Sequence, residues 1–241
     1  MKKLWLPATA VVLTIIAVGV GVFLARPSSS PESVLPGELA PGSALPSDAQ
    51  CTARVQRNPW EPRPENTQAN HTVPPTPYPN PTRSWSSNRA NQLKTRVDGQ
   101  FTGTTDEIIQ WSACKWGYPV EVARAQAVDE SHWYQSHRSD GGVSYGLFQL
   151  KSTVWTGTLP WSQNSTAYNA DWAMGVWRAC YEGLMYYGPQ SRGNTWGCVG
   201  AWWSGRWLDD GGKAYVGRVQ SYMAKKPYRE WPSSAGGVPP N

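Results

Sequence analysis

The chain has 241 residues, a formal net charge of +5 and a pI near 9.0. The size allows one ordinary domain plus additional segments. The excess of basic residues suits anionic polymers or lipid headgroups, or serves only as a solubility margin. No Lys/Arg run is interleaved with aromatics in the manner of a nucleic-acid stripe, so nucleic acid is not an expected partner. The unusual feature is 15 Trp against 3 Phe. Trp has a flat apolar face and one N–H donor, which suits both a sugar ring and a packed core.

In chain order, Met1-Lys2-Lys3 precedes an apolar stretch from Leu4 to Ala25. It is long for a signal peptide and about the ~20 residues that span a bilayer. No small-residue cleavage site follows it, so residues 1–26 are expected to form a signal anchor, with a cleaved signal peptide as the alternative. Either exports the rest of the chain. Residues 27–49 are rich in Pro and Ser and lack hydrophobic periodicity, predicting an extended, disordered linker. Residues 50–85, with Trp60, Tyr78, Trp85 and many prolines, predict an irregular strap lying on a domain at 86–231. Residues 232–241 predict a frayed tail.

Helical texture begins after Ser86. Thr104-Thr105-Asp106-Glu107 is a capping box opening a helix that runs to Gly117. Pro119 opens a second helix, with Val122, Ala123, Gln126, Ala127 and Glu130 along one stripe. The turn-rich Arg138–Gly142 breaks it and leaves room for a hairpin near 139–149. Ser165 or Thr166 caps a long helix expected to reach Tyr187, followed by a short helix at Trp196–Trp203. Gly212–Lys226 forms a last helix, stopped by Pro227. The fold expected is mainly α, with a minor β-hairpin. Cys51, Cys114, Cys180 and Cys198 allow three disulfide pairings. Cys180–Cys198, joining neighbouring helices, and Cys51–Cys114, tying the linker's end to the domain, are the expected bonds. The spacings fit no zinc pattern, and neither metal nor cofactor is expected.

Glu130 stands in the last turn of an Ala-rich helix, near the negative end of its dipole. Apolar neighbours and dipole both disfavour the charged form. Such an acid keeps its proton near neutral pH and can donate it to a leaving oxygen. Around it, Glu130-Ser131 followed by Gly146-Leu147-Phe148-Gln149 resembles the E-S and G-L-M/F-Q elements of the soluble lytic transglycosylase family, part of the lysozyme superfamily. Ser144 falls where that family often has a small polar residue. A third element, A-Y-N-x-G, is similar to Ala201-Trp202-Trp203-Ser204-Gly205, with Trp-Trp replacing Tyr-Asn. The likeness spans roughly residues 104–225.

The resemblance implies a lysozyme-like fold with a groove for peptidoglycan strands. It also implies cleavage of the β-1,4 bond between MurNAc and GlcNAc by one catalytic acid/base, Glu130. Gln149 would orient sugar or glutamate, and Ser131 and Ser144 are further expected substrate contacts. Tyr145, Trp133, Trp202, Trp203 and Trp207 are candidates for stacking on sugar rings. The replaced asparagine leaves a lysozyme- or chitinase-like hydrolase open, with Asp140, Asp171 or Asp209 assisting. A wall-binding module that does not cleave remains the non-enzyme reading. Gly142-Val143-Ser144-Tyr145-Gly146 also fits the G-x-S-x-G serine elbow, but no histidine follows His137, so that match is accidental. His132 and His137 lack metal-helix spacing. Asn70 and Asn164 head glycosylation sequons. A monomer in the cell envelope is expected, its partners glycan strands and, through residues 1–26, the membrane.

Overall fold

The computed structural model describes residues 34–76 and 85–241, and residues 1–26 lie outside this range. Among the described residues the structure is mainly helical, with one three-stranded antiparallel sheet. None of its helices is long and apolar enough to cross a membrane.

Two short helices, α1 (Asp48–Arg54) and α2 (Thr67–Asn70), lie in the Pro-rich N-terminal third, and α3 (Asn88–Lys94) follows. The capping box at Thr104 forms as expected: its hydroxyl accepts from Glu107 N, and the Glu107 carboxylate receives Thr104 N. It starts α4 (Thr105–Trp116), and Gly117, at φ +60°, ends it in the left-handed region that glycine tolerates. Pro119 is the residue before α5 (Val120–Ser131), one position earlier than anticipated. A four-residue helix, α6 (Trp161–Asn164), precedes α7 (Thr166–Tyr181), which Ser165 caps by accepting from Tyr168 N.

Every residue of α7 is buried. A helix buried on every side belongs at the centre, and the polar side chains this one carries, Asn169, Asp171 and Arg178, are each met by hydrogen bonds or an ion pair. A Cβ on its Gly175 would come within 2.9 Å of the Trp116 ring, so the glycine permits that contact. The expected extension of α7 to Tyr187 fails at Gly183, whose φ of +75° turns the chain after Cys180. The last helices are α8 (Thr195–Ser204) and α9 (Asp210–Lys225), the latter capped by Asp209. α4 packs on α7, and α9 on both α5 and α8. Both disulfides pair as expected, Cys51–Cys114 and Cys180–Cys198. Two such bonds fit an oxidising, extracytoplasmic compartment.

The centre also holds an ion cluster. Lys115 Nζ lies 2.9 Å from Asp171, 3.0 Å from Asp98 and 2.9 Å from Asp48, with its own side chain wholly buried. Burial pulls its pKa down, but the three carboxylates reverse this and raise it. Asp171 also accepts from the Asp98 and Gly99 amides and the Trp116 indole.

Residues 34–49 depart from the disordered linker expected at 27–49. Arg178, buried in α7, donates to Leu39 O at 2.7 Å and Ala40 O at 3.0 Å, while Leu39 N bonds Gly117 O. Glu38 is buried and accepts from the Thr195 hydroxyl. The tail, expected to fray, is held too: Ser233 accepts from Glu61 N and Val238 O from the Asn58 amide. Asn70, in its sequon, is 1% exposed and bonded to Glu61, out of reach of a glycan.

Candidate active site

α5 ends abruptly. His132 and Trp133 both adopt positive φ, +51° and +67°, a conformation that costs about 1–3 kcal/mol per non-glycine residue. The strap residues over-determine this turn: Arg63 Nε donates to His132 O at 2.8 Å, and Asn66 Nδ2 to Trp133 O at 2.7 Å. Trp133 then plugs the core, fully buried, stacked on Tyr228 and edge-on to Trp60 and Trp231. It is therefore not a sugar platform, contrary to expectation. Ser131 is likewise corrected: it is buried, and its hydroxyl donates to Leu147 O at 2.9 Å, tying α5 to the loop opposite.

That loop follows β1 (Arg138–Ser139) and β2 (Ser144–Tyr145) and leads into β3 (Leu150–Lys151), paired in the order β1-β2-β3. Gly146, at φ +82°, leaves no space for a Cβ, which would lie 2.3 Å from the Asn169 amide. Asn169, on α7, accepts from Phe148 N and donates to Tyr145 O; Gln135 accepts from Leu147 N. Leu147 and Phe148 enter the core. Gln149, at φ +49°, accepts from the Ser139 hydroxyl at 2.6 Å and donates to Gly146 O at 2.7 Å. The Gly-Leu-Phe-Gln stretch thus has a physical purpose at each position: close approach, two plugs, and a rigid polar group.

Glu130 and Gln149 line one groove of about 650 Å³. Ser139, Asp140, Ser144 and Lys151 from the sheet also line it, and Trp155, Trp177, Tyr186, Tyr187, Trp202 and Trp203 supply aromatic lining. Apolar and aromatic walls that carry some polar groups are typical of ligand clefts. Trp203 is 52% exposed and stacks on Tyr215, while Trp202 stacks on Trp155. Trp207 instead packs on Tyr187 and is not part of the lining. Tyr145 is also outside it, half-buried beneath the Arg138 guanidinium. Ser144 donates to Asp140 Oδ2 at 2.8 Å.

Glu130 is 8% exposed. Burial pushes its pKa up to about 8, opposed by hydrogen bonds from Tyr215 and Trp202 and by Arg218, and reinforced by Asp129. The Tyr215 hydroxyl donates to Oε1 at 2.6 Å, and Arg218 holds Asp129 with two bonds of 2.8 and 2.9 Å. Asp140 behaves oppositely: hydrogen bonds from Lys151 and Ser144 lower its pKa. At pH 7 one carboxyl lining the groove therefore keeps its proton and the other is charged. Asp171 and Asp209 do not line it; the first is in the central ion cluster, the second caps α9. Among the described residues no group of three His, Cys, Asp or Glu is placed to hold a metal ion.

A raised acid pKa has a sign in stability. The folded chain keeps the Glu130 proton up to about pH 8, whereas the unfolded chain loses it near 4.5. This contribution to stability is complete below pH 4.5 and is lost as pH rises through about 8, at up to about 1.4 kcal/mol per pH unit. Denaturant unfolding between pH 5 and 8 should show that decline against the same series for Glu130→Gln. Parallel curves would contradict it.

Tyr215, Gln126, Asn169 and Lys151 escape a reading of the sequence. Two of them leave a trace: Gln126 falls on the stripe of Glu130, and Asn169 is a polar residue amid the Ala stripe of α7. No protein-family model, curated protein or solved structure matches this chain.

Proposed function

We propose that this protein is an exported, lysozyme-like glycosidase that cleaves peptidoglycan strands, acting as a lytic transglycosylase with Glu130 as its single acid/base. One observation carries the reading: a buried carboxylic acid, protonated at neutral pH, opens into a groove lined by indoles and phenols. Aromatic faces suit the apolar faces of aminosugars, and the rigid Gln149 amide and Ser139 suit their hydroxyl and acetamido groups.

In the first step Glu130 gives its proton to the bridging oxygen as the C–O bond between MurNAc and GlcNAc breaks. The sugar is left with oxocarbenium character. The resulting carboxylate then takes the proton of the sugar's own 6-hydroxyl, whose oxygen closes on the anomeric carbon as an anhydro ring. Glu130 is thereby reprotonated, and neither water nor a second carboxylate enters. The Tyr215 and Trp202 donors stabilise the transient anion between the steps.

Asp140 favours a second reading. It is a charged carboxylate lining the groove that also holds a neutral acid, the arrangement that divides roles in hydrolytic glycosidases. Mass analysis of products from purified peptidoglycan decides between them. Anhydro ends are the expected result, reducing ends signify hydrolysis, and binding without products signifies a wall-binding module. Asp140→Asn should lower turnover by less than about tenfold in a transglycosylase and by about a hundredfold or more in a hydrolase.

A further inference from the structure

Tyr215, which bonds Glu130, is itself held from behind. Gln126 lies one turn before Glu130 on α5, and its Nε2 donates to the Tyr215 hydroxyl oxygen at 3.1 Å. The Gln126 Oε1 in turn accepts the hydroxyl hydrogen of Tyr118, just before α5. All three side chains are buried, at 2%, 5% and 0% exposure for Tyr118, Gln126 and Tyr215. A hollow of about 10 Å³ beside Tyr118 and Gln126 has room for about one water at most, so these side chains bond to one another rather than to bulk solvent.

The chain has a direction. A phenol carries one hydrogen, and a primary amide has one accepting and one donating end. Tyr118 donates to the amide oxygen and so orients the amide with its nitrogen toward Tyr215. Because the Tyr215 oxygen receives that N–H, its own hydrogen points to Glu130 Oε1. Oε1 is thereby held as an acceptor, which favours Oε2 as the oxygen that carries the acid's proton. With the amide reversed, Tyr215 would donate to Gln126, and Glu130 would donate its proton inward.

We propose that Tyr118 and Gln126 are positioning residues for Glu130, acting through Tyr215 to fix which carboxyl oxygen holds the proton delivered to the substrate. The proposal rests on the glycosidase reading of the groove. The other charged groups around the site are Asp129 and Arg218, paired with each other; Asp140 and Lys151, paired in the groove lining; and Glu38, whose charge acts on Tyr118. None of them donates into this chain.

The test uses Gln126→Leu and, as the variant that removes a single hydroxyl, Tyr118→Phe. In each, turnover on peptidoglycan should fall about three- to tenfold, with KM unchanged, the effect expected of one neutral hydrogen bond. The alkaline limb of the kcat profile should move up by roughly half a unit to one unit, because Tyr215 becomes a weaker donor to the carboxylate. Carbon-13 titration of the Glu130 carboxyl reads the same rise without turnover. A titration and limb coinciding with wild type in both variants overturn the proposal, whatever the change in rate. If the wild-type protein cleaves nothing yet the titration moves, the chain of bonds stands and the glycosidase reading falls.

Discussion

Glu130→Gln should lower turnover on peptidoglycan by about 10²–10⁴-fold, the usual effect of removing a general acid. Glutamine is nearly isosteric with the protonated glutamic acid and keeps a carbonyl oxygen to accept from Tyr215. Fold and strand binding should therefore persist, and only proton delivery should be lost. The variant should also be more stable than wild type near pH 8, where the native acid must either keep its proton or bury a charge. Turnover within about threefold of wild type would remove Glu130 from the mechanism.

Asp171→Ala should have the largest effect on stability. Removing one partner of a buried ion pair typically destabilises by about 3–5 kcal/mol, a fall in Tm of roughly 6–20 °C for a domain of this size. Here Lys115 would keep only Asp48 and Asp98, both partly exposed, and the Asp98 and Gly99 amides and Trp116 indole would lose their acceptor. Thermal and urea unfolding give the magnitude. Activity per folded molecule at low temperature should stay near wild type, because Asp171 does not line the groove. A variant as stable as the parent would mean that the cluster is not the clamp of the core.

The helix starts at Thr104 and Ser165 and the stop at Gly117 were legible because caps are local chemistry, complete within a few residues. Glu130 and the Gly146–Gln149 loop were legible as a pattern, and the groove lining includes both Glu130 and Gln149. What failed was whatever depends on distant neighbours. Trp133 and Trp202 are the same residue type, yet one is sealed by Tyr228 and Trp60 and the other lines the groove. Tyr215 acquires its importance only through the packing of α9 on α5. Gly183 ended α7 while the aromatic stripe continued, so the hydrophobic pattern outran the backbone. Residues 34–49 have no period to detect, because they bind through single contacts such as Glu38 to Thr195.

The grip of Arg63 and Asn66 on the turn just after Glu130 has a practical corollary for anyone cutting the gene. A fragment trimmed to residues 86–231 would retain every side chain of the groove. It would also lose the Cys51 staple and the cover over Trp133, and the two strained carbonyls after the acid would lose their donors. The portion that looks dispensable is the foundation on which the acid is aimed, and deleting it should blunt the protein without touching the cleft.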